Sequence, residues 1–89
     1  MNAKKLYFFT YDIDNNEVDV LDKLNEIGEV CSCLSNGYFI STSKTDEDIF
    51  DILKSEFDAG NGRFVIIQVK MENMNGWIST DTIDWLKNK

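Results

Sequence analysis

The chain has 89 residues, with nine basic side chains against sixteen acidic ones and a formal charge of −7. That length falls below the usual domain size of about 100 to 150 residues, so it holds one small core and excludes a second domain or a large multi-part catalytic machine. Histidine is absent, which removes the common general base near neutral pH, the imidazole metal ligand and every Ser-His or Cys-His nucleophile pair.

Hydrophobic residues at 43% and aromatics at 12% are too rich for a disordered chain. A single arginine, Arg63, and scattered lysines do not make the clustered basic footprint that phosphate neutralisation needs, so any nucleic-acid binding would have to be local, weak or metal-assisted. No stretch approaches the roughly 18 apolar residues of a membrane span, and the start, MNAKKLYFF, lacks the long apolar core of a secretory signal. A cytoplasmic protein is expected, with no membrane partner. Cys31 and Cys33 form a lone C-x-C, too few ligands for a zinc site within one chain, and buried packing is the expected role.

In chain order, Leu6 to Ile13 reads as a strand that is apolar on both sides. Leu6, Phe8 and Thr10 face one way, and Tyr7, Phe9, Tyr11 and Ile13 the other. Such a strand belongs in the middle of a sheet. After the DNNE turn, VDVLDKLNEIG predicts a helix with Val20, Leu21, Leu24 and Ile27 inward, closed by Gly28 as a C-cap. Glu29 to Leu34 and Gly37 to Thr42 predict a hairpin turning at Ser35-Asn36-Gly37.

Thr45 and Asp48 have the spacing of a capping box for a second helix, with Ile49, Phe50, Leu53 and Phe57 inward. The run AGNG at 59 to 62 breaks that helix, and Arg63 to Lys70 predicts a fourth strand. A further turn at Asn75-Gly76 leads to a final short helix capped by Ser79 or Thr80 and carrying Ile83, Trp85 and Leu86. Trp77 and Trp85, with Met71 and Met74, are expected to latch this C-terminal segment of about 71–89 onto the core; a docking surface is the alternative.

The order βαββαβ in so short a chain predicts an α+β, ferredoxin-like sandwich: an antiparallel sheet with both helices on one face, plus a short C-terminal helix. The opposite sheet face would then be apolar and uncovered unless the C-terminal segment, a second copy or another partner lies on it, so a homodimer or a protein partner is expected.

Asp12 and Asp14, spaced i, i+2 at the end of the first strand, are the candidate metal ligands. Carboxylates suit a hard ion such as Mg²⁺, which could activate water against a phosphodiester, with Asp12 as the candidate catalytic residue. The acids of the two helices, from Asp19 to Glu26 and from Asp46 to Asp58, either solvate the surface or imitate a phosphate backbone toward a basic protein.

The opening LYFFTYDID, the hairpin and the strand RFVIIQVK resemble the ferredoxin-fold nuclease subunit of CRISPR adaptation complexes and toxins of the virulence-associated protein D type. With the ending GWISTDTIDWLKNK, the pattern is closer to small bacterial proteins labelled as a SinR family. The resemblance implies a dimer of this fold in a defence or toxin-antitoxin setting, and it transfers one functional position, Asp12 within Tyr11-Asp12-Ile13. Where the adaptation subunit has basic residues after that aspartate, this chain continues DNNEVDVLD. Three functions follow as expectations: a protein acting through protein contacts, a metal-dependent nuclease using Asp12, or an acidic nucleic-acid mimic.

Overall fold

The structure, a computed structural model, describes residues 4–13, 20–57 and 62–89. Its elements are β1 (Lys5–Ile13), α1 (Val20–Ile27), β2 (Glu29–Leu34), β3 (Gly37–Thr42), α2 (Asp46–Phe57), β4 (Gly62–Val69), a 3₁₀ turn at Met71–Asn73 and α3 (Thr80–Lys87). The four strands form one antiparallel sheet in the order β2-β3-β1-β4. The expected α+β class and antiparallel sheet are therefore present.

β1 is central, with a ladder partner on either side. It pairs with β3 from Lys5↔Thr42 to Thr10↔Gly37 and with β4 from Leu6↔Val69 to Ile13↔Gly62. Period-two alternation sends Tyr7 and Phe9 to the face that meets α1 and α2, where both are buried. There they join Val20, Leu24 and Ile27 of α1, Ile40 of β3, and Ile49, Leu53 and Phe57 of α2 in one core. Tyr11, Tyr38 and Phe64 extend it as an aromatic layer, with Phe57 and Phe64 centred 4.8 Å apart and Tyr11 stacked on Tyr38 at 6.3 Å.

Two positions depart from the helical stripes read from sequence. Leu21 is 47% exposed and Phe50 is 49% exposed. Each lies one residue beyond a buried position, Val20 or Ile49, so 100° per residue turns it to the flank of its helix, away from the sheet. Phe50 still reaches Phe64 at the outer strand, at 5.7 Å between ring centres.

α2 starts as expected: the Thr45 hydroxyl accepts from the Asp48 N–H at 3.2 Å, and the Asp48 carboxylate accepts from the Thr45 N–H at 3.3 Å. The hairpin turns on Ser35 and Asn36 alone, with Gly37 already paired to Leu34 in the ladder. The end of α1 is pinned to β3, where the Thr42 hydroxyl donates to the Ile27 carbonyl at 2.8 Å. Tyr7 holds the loop before α2 by donating its hydroxyl to the Lys44 carbonyl at 2.9 Å.

Gly28 is explained by close approach: a Cβ there would lie 2.4 Å from the Ser41 carbonyl oxygen and 2.8 Å from the Thr42 Cβ. The helix ends hard against the sheet, where only hydrogen fits. At Gly76, an added Cβ meets nothing within 4 Å. We expect Gly28→Ala to cost about 2 kcal/mol in urea unfolding, as a backbone-limited overpacking, and Gly76→Ala to stay within about 0.5 kcal/mol. Equal midpoints for the two variants would contradict the close-approach account.

Candidate functional site

The second face of the sheet carries both features singled out by the sequence, the aspartate at the end of β1 and the uncovered apolar surface. Alternation places Phe8, Thr10 and Asp12 there from β1 and Arg63, Val65, Ile67 and Val69 from β4. Phe8 and Phe39 are direct cross-strand partners and meet edge to face at 5.5 Å.

Asp12 lies at the outer end of this face, exposed, directly opposite Arg63. The guanidinium Nη2 donates to its carboxylate at 3.3 Å. Both groups are largely in solvent, where such a pair contributes little to stability and is weakened by salt. Its chemical effect is to occupy the Asp12 carboxylate with an organic cation, against which a metal ion would have to compete. Asp14, the other candidate ligand, lies outside the described residues. Among the described residues, no three metal-ligating side chains converge.

The acids of α1 and α2 lie on the far side of the molecule. Asp22, Glu26, Asp46, Glu47, Asp48 and Asp51 are exposed, beyond the helices that cover the first sheet face. Lys23 reaches Glu26 at 3.7 Å and Glu56 at 3.8 Å, tying α1 to α2 across the surface.

α3 covers the β2 side of the second face. Ser79 is its N-cap, its hydroxyl accepting from the Thr82 N–H at 3.2 Å. Its Leu86 and Thr82 are buried, and Cys31 of β2 lies against the Thr82 hydroxyl at 3.9 Å. Lys89 and Lys4 both pair with Glu29 on β2. The hydrogen bond from Lys89, then that from Lys4, holds the Glu29 carboxyl below the usual range.

Leu86, Thr82 and the Lys89–Glu29 pair hold α3 against β2. Trp85 is half-buried under Lys89, whose ammonium stands 4.8 Å from the ring centre. Trp77 takes no part and is 100% exposed.

Between the β4 edge and α3, residues 74–79 cross the second face without regular secondary structure. They leave an open groove of about 670 Å³. Phe8, Phe39, Ile67 and Val69 form its floor, Met71 and Ile83 its sides, and Trp77 stands at its rim. Cys33 and Leu34 close the β2 end, so the C-x-C spacing has put both thiols on this face, each half-buried rather than in the core.

The sequence did not mark the groove, and it offered Trp77, with Trp85, Met71 and Met74, as a docking surface only as the alternative to a latch. One signal was present: residues 71–77 (MENMNGW) show neither the period of a strand nor that of a helix, so nothing orients their large side chains inward.

Burial pushes the Cys33 thiol up, with Cys31 beside it adding to the effect, so it stays protonated at neutral pH. In a Cys31→Ser variant, we expect iodoacetamide to alkylate Cys33 more slowly than free cysteine, with the rate climbing as pH rises beyond an ordinary thiol's range. A rate equal to that of free cysteine would show the side chain to be outside the apolar groove. No family model, curated protein or solved structure matches the chain.

Proposed function

We propose that this is a ferredoxin-like domain that works through protein–protein contacts made by the second face of its sheet. The observation that carries this reading is the apolar groove of about 670 Å³ with a fully exposed tryptophan at its rim. Contiguous apolar surface beside large aromatic side chains is the composition of an interface centre, whereas a solvated surface is expected to break such patches with charge.

The strand order β2-β3-β1-β4, with α1 linking β1 to β2 and α2 linking β3 to β4, supports the ferredoxin-like assignment. Two free thiols fit a reducing, cytoplasmic setting. The resemblance carried by LYFFTYDID supports a place in defence or toxin-antitoxin biology.

The test exposes the purified chain to single-stranded and duplex RNA and DNA with Mg²⁺ or Mn²⁺, beside Asp12→Asn. We expect no metal-dependent cleavage by either protein. Cleavage by the wild type that Asp12→Asn abolishes would overturn the contact reading and make Asp12 the centre of a nuclease. We further expect Asp12→Asn to change unfolding stability by less than about 1 kcal/mol, as for an exposed ion pair.

A further inference from the structure

We infer that Cys31 and Cys33 form a two-coordinate site for a soft monovalent cation, Cu(I), at the β2 end of the groove. The inference goes beyond the contact reading and does not depend on it. Both thiols are free and half-buried. Cys31 is the ladder partner of Phe39, which lines the groove, and Cys33 lines it as well. The ladder shifts register between Ser32 and Leu34 and leaves Cys33 without a partner across the strand.

The spacing suits an ion better than a bond between the two sulfurs. Residues two apart on a strand are separated by about 6.6 Å, with their Cβ atoms on the same side. A disulfide needs its Cβ atoms about 4 Å apart. An ion seated between the sulfurs spans the wider gap, because two sulfur–metal bonds replace one sulfur–sulfur bond.

The ligand count selects the ion. Thiolates favour zinc, iron–sulfur clusters and Cu(I). Structural zinc and iron–sulfur clusters take four protein ligands, and among the described residues no three cysteine or carboxylate side chains converge. Cu(I) is satisfied by two thiolates in line. The surroundings agree: Met71 and Met74, two of the three methionines of the chain, line the same groove, and among the described residues no carboxylate does. A hard ion such as Mg²⁺ finds no anionic oxygen there.

Electrostatics point the same way. Burial and then the neighbouring Cys31 disfavour a thiolate at Cys33, while the N–H groups of Cys33 and Leu34 act in its favour. A cation shared by the two sulfurs removes their mutual repulsion and most of the charge that burial opposes. Each thiol gives its proton to solvent as its sulfur–copper bond forms, and copper stays Cu(I), so no oxidant or reductant is consumed. The Thr82 hydroxyl, 3.9 Å from Cys31, accepts from the thiol and can turn to donate to the thiolate.

The test titrates the reduced protein with Cu(I) under argon against bicinchoninate, a chromophoric Cu(I) chelator, for the wild type, Cys31→Ser and Cys33→Ser. Far-UV circular dichroism checks that each variant folds. We expect one Cu(I) per wild-type chain, two sulfur neighbours in X-ray absorption, and no change in mass on loading. Each serine variant should lose affinity by more than about 100-fold, beyond what removal of a merely supporting group costs. The urea midpoint of the wild type should rise with Cu(I), as for any ligand that prefers the folded chain.

Serine variants that keep the wild-type affinity would overturn the site. One ion per two chains, with mass rising on loading, would overturn its completion within one chain. A midpoint unmoved by copper would show that the unfolded C-x-C binds as well, and would overturn a site built by the fold. Zn²⁺ retained through desalting as firmly as Cu(I) would overturn the choice of ion.

Discussion

A strand that is apolar on both sides is the constraint to which the rest of this structure answers. β1 presents Tyr7 and Phe9 to one face and Phe8 to the other, so one layer of helices cannot satisfy it. The first face is fully served: α1 and α2 contribute six of the nine buried residues of the core. The second is served in part, because α3 has eight residues and lies over β2. The uncovered portion next to β4 is where Val65 and Ile67 remain half in water. The groove is a consequence of more apolar sheet than the described helices cover.

Much of this architecture was legible in the sequence because it depends on local periodicity. β2 and β3 have the bounds expected, since alternating side chains around Asn36-Gly37 define a hairpin without outside help. The capping box at Thr45 and Asp48 and the Ser79 cap are likewise matters of spacing along a few residues. Leu21 and Phe50 were misplaced because helical periodicity gives a stripe of finite width, and only tertiary docking decides which of its edges meets the sheet. Gly28 shows the same limit: the sequence marks it as a helix terminator, whereas its hydrogen is needed to let Ser41 approach.

The site was less legible, for a reason of kind. The resemblance singled out Asp12, but no local rule states that Arg63, fifty-one residues later, will stand opposite it in the ladder. Cys33, Met71 and Ile83 belong to three segments that only the fold brings around one groove. Trp77 was read as a latch because large aromatics are usually inward. It sits instead in a segment whose backbone is committed to crossing the sheet, and the work of holding α3 falls to Leu86, Thr82 and the Glu29 pairs.

The position of β1 between β3 and β4 has a kinetic consequence. Among the described strands, β1 is made before both of its ladder partners, and β4 is made last. Until residue 69 is available, a nine-residue segment rich in phenylalanine and tyrosine has an open hydrogen-bonding edge and no complete shelter. Local order alone cannot protect it, because every closing contact spans a large part of the chain. The nascent segment is therefore exposed to mispairing until β4 is made, an interval of seconds at a translation rate of about 5 to 20 residues per second.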